Sequence, residues 1–435
     1  MVFHKDVGFS GEVHGELCGE TQLKVSIITY GSRGDVQPLL ALALSLSAAG
    51  HEVILATPPE HADWVESCGC SFRPLGSNVQ AFLQKCPDPH TFKAALAFGR
   101  FLRQELKSQF VQLPVIIEGT DLVLGAALIL GVPSVAESLG VPYRFIAFCP
   151  QVLPSRQHPS VLVRNYNLPH WLNRLSWWFT NTIDILNFKA VINRERSRLG
   201  LRPVRDIWRH FLGSQVIVAS DEVLAPVPRD VEQDYVQTGY FHLQQTGELS
   251  ADLEAFLASG PPPVYVGFGS MPSEHPEATM RLVLEAVRSA GQRAILSPGW
   301  SEVGQMTTER DCKLVGDVPH TILFPRVAAV VHHGGSGTTA TAARTGVPQI
   351  IVPHILDQYY WASRIHRVGL GPRPIRRSRL TTDRLSAAIR EAASNEALHR
   401  RVPQVAGILQ GHDSLREALR VIESGISSNS RSFPG

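Results

Sequence analysis

The sequence predicts an α/β protein made of two doubly wound domains that face each other across a cleft. Short apolar runs alternate with amphipathic stretches from Leu23 onward, and the same alternation starts again at Pro263 after an interruption. Strands that alternate with helices form parallel sheets with right-handed crossovers. A chain of 435 residues is also too long for one ordinary domain and comfortable for two.

The apolar runs place the strands and divide the chain into segments. Between the two patterned halves the sequence becomes rich in Pro, Gly and charge, which is typical of a connector. The first helix is expected in "PLLALALSLSAAG", with Pro38 at its start and Gly50 after its end. The expected segments are a disordered tail at 1–21, an N-terminal domain at 22–225, a linker at 226–262, a C-terminal domain at 263–425 and a disordered tail at 426–435.

Composition and charge exclude several classes of protein. The net charge is +2, which is too balanced for a typical nucleic-acid binder. No apolar stretch reaches the roughly 18–20 residues of a spanning helix, and the first twenty residues lack the apolar centre of a signal peptide. The six cysteines show no zinc-like pairing and fit reduced thiols in a cytosol. We therefore expect a cytoplasmic protein.

A glycine-rich turn in the second half, "HHGGSGTT" at 332–339, leads from a strand into a helix. Its glycines permit close approach of a ligand, and Ser336 can cap the helix. The exposed amides of Ser336, Gly337 and Thr338 favour phosphate oxygens, and His333 adds a hydrogen-bond donor. The spacing matches neither a Walker loop nor the dinucleotide fingerprint. A tight turn without a ligand is the alternative interpretation.

Two aspartates are expected at the carboxyl ends of strands, one in each half of the chain. Asp357, followed by Gln358, ends the run "PQIIVPHIL", where a carboxylate beside an amide can hold vicinal hydroxyls. Asp35 follows the first strand in "YGSRGDVQP", where a carboxylate that faces the cleft can act as a general base. Each aspartate can instead cap the helix that follows it.

Together these stretches resemble the inverting, nucleotide-sugar-dependent glycosyltransferases of the UDP-glycosyltransferase superfamily. The nearest branches are the sterol glucosyltransferases and the bacterial antibiotic glycosyltransferases. The resemblance rests on "GSRGDVQP" with "LALALSLSAAGHEV", and on "FPRVAAVVHHGGSGTTATAARTGVPQIIVPHILDQYYWASRI". It spans about 23–425 and implies the GT-B fold, in which two Rossmann-like domains face each other with the active site in the cleft between them.

The resemblance implies a donor site in the C-terminal domain for a nucleotide sugar, with UDP-glucose expected because Asp-Gln is typical of glucose users. The residues expected at its diphosphate are Ser270, His333, Gly335, Ser336, Gly337 and Thr338. The residues expected at its sugar are Asp357 and Gln358. The backbone around Val318 should pair with the uracil, Trp300 should line the base pocket, and Ser32 and Arg33 should border the phosphate and sugar.

The resemblance also assigns the catalytic base to Asp35. Plant-type relatives place a histidine after the first strand, whereas "TYGSRGD" contains none, so Asp35 must act alone or through another group. No DxD-like metal motif is found, so we expect an enzyme that needs no metal and no cofactor beyond the nucleotide sugar. An α-linked donor would give a β-glycoside.

The acceptor is expected to bind to the N-terminal domain, where aromatic residues are dense. This density suits a flat or lipophilic hydroxyl compound such as a sterol, a polyphenol or a macrolide. The candidate acceptor residues are Phe92, Phe98, Phe148, Trp171 and Trp178. Core packing of long helices is an alternative, and a helix that lies on a membrane surface is another.

The leading hypothesis is thus transfer of glucose from UDP-glucose to a hydroxyl of a lipophilic small molecule. A TDP-deoxysugar transferase of antibiotic assembly is the near alternative. A sugar-nucleotide epimerase and an inactive partner that binds only nucleotide or lipid are alternatives from other classes. The sequence leaves open the identity of the acceptor and the oligomeric state.

Overall fold

Parallel sheets organise both halves of the computed structural model. It describes residues 22–79, 81, 92–244, 247–269, 276–297 and 311–429, without the side chains of 92–96, 276 and 425–429. The first sheet has the order β3-β2-β1-β4-β5-β6-β7, and the second has the order β10-β9-β8-β11-β12. All of these pairings are parallel, which confirms the predicted α/β class.

The strands of both sheets are short apolar runs, as buried parallel strands usually are. In the first sheet they are β1 (Lys24–Tyr30), β2 (Glu52–Thr57), β3 (Ser71–Pro74), β4 (Leu122–Ala127), β5 (Tyr143–Ala147), β6 (Val216–Val218) and β7 (Tyr235–Gln237). In the second they are β8 (Val264–Gly267), β9 (Ala294–Ser297), β10 (Cys312–Leu314), β11 (Ala329–His332) and β12 (Gln349–Ile351).

Helices connect the strands and cover the sheets. In the N-terminal half they are α1 (Arg33–Ala48), α2 (Ala62–Ser67), α3 (Phe92–Ile117), α4 (Val132–Ser138), α5 (His170–Asp184), a π-helical turn at Ile185–Lys189, α6 (Ala190–Arg198) and α7 (Ile207–Leu212). The later helices are α8 (Ala251–Ala258), α9 (Pro276–Ser289), α10 (His320–Leu323), α11 (Ser336–Arg344), α12 (Gln358–Val368), α13 (Thr382–Ser394), α14 (Glu396–Gln410) and α15 (Ser414–Asn429).

The first sheet has a core on each face. Val25 and Ile27 of β1 belong to one buried cluster, whereas Ile28 and Tyr30 belong to another. Side chains of a strand alternate between its two faces, so this division means that both faces are covered. The loops at the carboxyl ends of the strands are then the free edge at which a doubly wound sheet binds its ligand.

Helix α1 starts earlier than the sequence analysis expected. Its first residue is Arg33 and its N-cap is Ser32, so Pro38 lies inside the helix rather than at its start. The polar run 32–37 conceals this turn because its charged residues look like loop. Gly50 follows the helix with a φ of +93°, as expected for a glycine just past a helix end. The early start places Asp35 in the first helical turn.

The boundary between the domains also differs from the expected one. Strand β7 joins the first sheet although it lies beyond 225, and Leu253 and Leu257 of α8 are buried in the core of the C-terminal domain. The expected linker at 226–262 therefore contains one element of each domain. The chain crosses between the domains in the segment between β7 and α8.

The last helix, α15, returns to the N-terminal domain. Ala418 and Ile422 are fully buried in the core that contains Val25 and Ile27, and the Arg144 guanidinium donates to the Val421 carbonyl oxygen at 2.8 Å. The sequence analysis assigned this helix to the C-terminal domain. Because α15 extends to Asn429, residues 426–429 are helical and not part of the expected tail, while 1–21 and 430–435 lie outside the described residues.

Candidate active site

Helix N-termini from the two domains meet at the carboxyl edges of the sheets. Helix α1 follows β1 in the N-terminal domain, α11 follows β11 in the C-terminal domain, and the two helices contact each other. The positive ends of both helix dipoles therefore lie at one place. This meeting point contains most of the residues that the sequence analysis selected for the donor and for catalysis.

Asp35 stands at the start of α1, with its carboxylate held by the preceding residues. Its Oδ2 accepts hydrogen bonds from the Ser32 backbone N–H at 2.8 Å and from the Ser32 hydroxyl at 3.1 Å. A Cβ on Gly31 would lie 2.2 Å from the same oxygen, so only glycine leaves room for the carboxylate there. Asp35 thus stabilises the start of α1, and its carboxylate is half-buried. Its role as a general base stays a prediction.

The two aspartates both have raised pKa values, and the charge of Asp35 contributes to the shift at Asp357. Burial raises the pKa of Asp35 above its ordinary value, and the hydrogen bonds from Ser32 lower it only in part. Burial, together with the negative charge of Asp35, raises the pKa of Asp357 to about 7. A carboxylate with a raised pKa binds a proton more strongly, which is the property that a general base requires.

The glycine-rich turn forms the N-terminus of α11 with unused backbone donors. Thr339 donates its N–H to the Gly335 carbonyl at 3.0 Å. The preceding amides of Ser336, Gly337 and Thr338 have no carbonyl four residues back within the helix, as at any helix start. Gly335 is the N-cap and Ser336 is the first helical residue, so Ser336 does not cap the helix as the sequence analysis expected. These amides and the helix dipole suit an anion.

The two adjacent histidines of the turn have different environments. His332 is fully buried; it accepts from the Gly334 N–H at 3.1 Å and pairs with the Gln349 side chain at 3.0 Å, so it fixes the turn. The His333 ring instead lies against Gly269 and Gly335, where added Cβ atoms would come within 3.0 and 2.5 Å of it.

His333 is neutral and not fully hydrogen bonded. Burial, followed by the charge of His320, lowers the pKa of His333 to about 4. Its Nδ1 is buried and has no hydrogen-bond partner among the residues that the structure describes. A buried polar atom without a partner is unusual in a folded protein. A bound phosphate oxygen would give the ring an acceptor for its N–H.

Asp357 and Gln358 lie where β12 leads into α12, but their side chains have separate surroundings. Gln358 is buried, and its carbonyl oxygen accepts from the backbone N–H groups of His354 and Ile355 at 2.8 and 3.0 Å. Its amide thereby stabilises the loop that presents Asp357. The neighbouring Leu356 has a φ of +49°, a strained value for a leucine and a common sign of a functional loop. Contact of either side chain with a sugar stays a prediction.

Arg33 connects the two domains at the edge of the cleft. Its guanidinium pairs with the carboxylate of Asp317 in the C-terminal domain and lies 4.6 Å from the ring centroid of Trp64. Asp317 precedes the part-buried Val318, whose backbone is expected to meet the nucleotide base. The partly exposed ion pair is worth at most about 1 kcal/mol. A ligand phosphate can therefore replace Asp317 as the partner of Arg33 at little energetic expense.

Two further predicted donor residues lie outside the described residues, namely Ser270 and Trp300. His320 was not selected from the sequence. Its ring is stacked on that of Phe324 with 4.4 Å between the ring centroids, and its Nε2 pairs with the Tyr265 hydroxyl at 3.1 Å. The sequence offered a signal for it, because His320 lies two residues after Val318, whose backbone is expected to pair with the base.

The predicted acceptor residues do not form one cluster. Phe98 is part-buried on α3, one turn before Phe101, whose ring centroid lies 6.4 Å from that of Tyr30 at the end of β1. Phe148, just after β5, packs against the core of the N-terminal domain. The side chain of Phe92 lies outside the described residues.

The two predicted tryptophans of α5 are exposed. Trp171 and Trp178 are 66% and 65% exposed, whereas the intervening Trp177 is buried and donates to the His158 carbonyl. Trp178 also lines a surface cavity of about 960 Å³ that extends to Asp234. Asp234 directly precedes β7 and so lies at the amino ends of the parallel strands, whereas Asp35 follows the carboxyl end of β1. The cavity that Trp178 lines therefore lies away from Asp35, and contact of Trp171 with an acceptor stays a prediction.

Comparison with known proteins identifies the family. The model of the glycosyltransferase family 28 N-terminal domain matches 25–155, and that of the erythromycin biosynthesis protein CIII-like C-terminal domain matches 300–409. The vancomycin aglycone glucosyltransferase of Amycolatopsis orientalis is 37% identical over 415 residues, which cover 93% of this chain and 98% of that protein. The chain is a glycosyltransferase. Both halves of the predicted resemblance are thereby confirmed.

Further relatives support the family and the fold. A sterol 3-beta-glucosyltransferase of Arabidopsis thaliana is 33% identical over an alignment of 434 residues. The alignment covers 92% of this glycosyltransferase and 67% of the plant protein. The crystal structure of the glycotransferase of kitacinnamycin superposes with a TM-score of 0.71 at 21% identity, over 93% of this chain and 99% of that one. The GT-B fold is therefore confirmed.

The described residues of the glycosyltransferase contain neither a candidate membrane-spanning helix nor a candidate metal-binding cluster. Among the helices of the described residues, none combines the length and apolar character that crossing a membrane requires. Within the described stretches of the chain, no group of three or more His, Cys, Asp or Glu side chains is arranged to hold a metal ion. Peripheral membrane contact and metal independence both stay predictions.

Proposed function

We propose that this glycosyltransferase transfers glucose from UDP-glucose to a hydroxyl of a lipophilic small molecule with inversion at the anomeric carbon. One observation carries the proposal: the first turn of α11, with its open amides, and the first turn of α1, with the Asp35 carboxylate, belong to two helices that contact each other across the domains. The first suits a diphosphate, and the second suits an acceptor hydroxyl.

In the proposed reaction the acceptor oxygen attacks the anomeric carbon from the side opposite the diphosphate. A new carbon–oxygen bond forms while the bond to the diphosphate breaks, and Asp35 takes the proton of the hydroxyl. The departing nucleotide carries the negative charge away. The amides of Ser336, Gly337 and Thr338, with His333, stabilise that charge through hydrogen bonds. The geometry of a single displacement makes a β-glycoside from an α-linked donor.

The acceptor side of the proposal rests on the aromatic surface of the N-terminal domain. Phe101 packs near Tyr30. Tyr30 directly precedes Gly31 and the loop that leads to Asp35. Tyr30 is fully buried, so an acceptor could contact only the part-buried Phe101 of this pair. An aromatic face of this kind favours flat or apolar acceptors. The relatives include a glucosyltransferase of the vancomycin aglycone and a sterol 3-beta-glucosyltransferase, which supports a small-molecule acceptor.

We expect release of UDP from UDP-glucose to require an acceptor. Purified enzyme should be mixed with UDP-glucose or dTDP-glucose and with a sterol, a polyphenol or a macrolide aglycone, and nucleotide and glycoside should be measured together. A β-glucoside formed in step with UDP supports the proposal. Faster turnover with dTDP-glucose would favour the deoxysugar branch. Acceptor-independent conversion of the sugar nucleotide would indicate an epimerase, and nucleotide binding without turnover would indicate an inactive partner.

We expect this activity to survive removal of divalent cations. The helix N-terminus and Arg33 supply the positive potential that a metal ion provides in other glycosyl transfers, and neutral His333 adds a hydrogen-bond donor. Initial rates should therefore be equal in EDTA and in magnesium or manganese. A rate that disappears in EDTA and returns with either cation would contradict metal independence.

A further inference from the structure

Tyr240 is a buried tyrosine in the segment that crosses between the domains. Its side chain is 4% exposed, and its carbonyl oxygen accepts from the Ser414 hydroxyl at 2.5 Å. Its backbone also hydrogen bonds to the carboxylate of Asp221, and its ring lies edge-on to His242 with 5.0 Å between centroids. The backbone and the ring are therefore fixed in direction, although the sequence analysis treated this residue as part of a linker.

The Tyr240 hydroxyl lies beside the first turn of α11. A Cβ on Gly337 would come 2.7 Å from this oxygen, and the next ring atom would be 3.6 Å away. Because the Cα–Cβ bond of a helical residue tilts toward the helix N-terminus, the hydroxyl lies toward the end of α11 that carries the open amides. It thus borders the expected position of the diphosphate.

The charge of the Asp35 carboxylate also acts on the Tyr240 hydroxyl. Burial, followed by the negative charge of Asp35, raises the pKa of Tyr240 well above its ordinary value. The phenol therefore keeps its proton at neutral pH and can donate a hydrogen bond through it. No hydrogen bond from this hydroxyl to another group is found within the described residues, so its donor is available to a ligand.

We propose that the Tyr240 hydroxyl donates a hydrogen bond to the diphosphate of the nucleotide sugar, beside the amides of α11. The proposal rests on the proposed function, because it needs a diphosphate leaving group. In the transfer step this hydrogen bond would become stronger as negative charge builds on the departing oxygen. Tyr240 would thereby connect the inter-domain segment directly to the reacting bond.

The experiment compares Tyr240→Phe with the wild type and with Tyr235→Phe. The first variant keeps the ring and removes the hydroxyl. The second makes the same chemical change on β7, at a side chain that is 39% exposed. A hydrogen bond to a charged group is worth about 1.5–3 kcal/mol, so kcat should fall about tenfold or more in Tyr240→Phe. The affinity for UDP should fall as well, the KM for the acceptor should stay unchanged, and Tyr235→Phe should behave as wild type.

A second pair of variants tests the position of the hydroxyl. Gly337→Ala should weaken UDP binding, because its methyl group would meet the Tyr240 oxygen. Adding Tyr240→Phe removes that oxygen, so the double variant should lose less UDP affinity than the two single losses combined, since the nearest remaining ring atom is 3.6 Å from the new methyl carbon. This comparison does not depend on turnover.

The outcomes separate the inference from the proposed function. If wild-type enzyme neither binds UDP in calorimetry nor transfers glucose, the proposed function fails. If the wild type does both, and folded Tyr240→Phe matches it in kcat and in UDP affinity, the inference is overturned and Tyr240 only packs the domain crossing. Circular dichroism and Tm confirm that each variant is folded.

Discussion

Replacing Asp35 by asparagine should lower turnover of an alcohol acceptor by about 100- to 10,000-fold, the usual range for loss of a general base. Asparagine still offers an oxygen to the Ser32 N–H, so the start of α1 should survive. It cannot take the acceptor proton. Affinity for UDP should change little, and acidic phenols should lose less rate than aliphatic alcohols because they ionise without help. Steady-state rates and UDP calorimetry measure both properties.

The pH profile gives a second check on Asp35. Because its pKa is raised, the carboxylate becomes protonated, and thus inactive as a base, as the pH falls through that raised value. The acidic limb of the wild-type profile should therefore be absent from the residual activity of Asp35→Asn. Asp63→Asn is the matched control, since Asp63 is an exposed aspartate in the first turn of α2. Near wild-type rates for Asp35→Asn would mean that Asp35 only stabilises the start of α1.

The second large effect is expected at His333. His333→Ala should weaken use of the donor by about 10- to 100-fold, because a hydrogen bond to a charged phosphate is worth about 1.5–3 kcal/mol. The ring has little freedom between Gly269 and Gly335, so it is already oriented before the donor arrives. The affinity for UDP and kcat/KM for UDP-glucose measure the loss.

The neighbouring histidine provides the matched control for His333. His332→Ala removes the hydrogen bonds to Gly334 and Gln349, so it should lower Tm. His333→Ala should leave Tm nearly unchanged while it loses donor affinity. If His333→Ala binds UDP and turns over like wild type, the imidazole does not contact the diphosphate.

Much of the fold and part of the site could be predicted from the sequence, for identifiable physical reasons. Buried parallel strands are apolar on both faces, so their runs are visible without any partner. The turn at 332–339 could be read because glycine and helix-start chemistry are local. The different roles of His332 and His333 could not be predicted, because they depend on the contact of His332 with Gln349, seventeen residues away.

The features that sequence reasoning missed depend on contacts between distant segments. An amphipathic helix such as α15 shows that one of its faces is buried but not which domain buries it. Helix α14 was not predicted, and Pro403 in its middle conceals it. Tyr240 stayed hidden because it lies in a segment without periodic pattern, and its proximity to Gly337 exists only in three dimensions.

The return of α15 to the N-terminal domain makes the C-terminal domain an insertion within the N-terminal domain. The chain leaves the first domain after β7 and returns between α14 and α15, where Ser414 is hydrogen bonded to Tyr240 of the outgoing segment. Recombination between homologous genes would therefore need two crossovers to exchange the C-terminal domain as a cassette. A single crossover after β7 would leave the N-terminal core covered by a foreign helix, in place of Ala418 and Ile422.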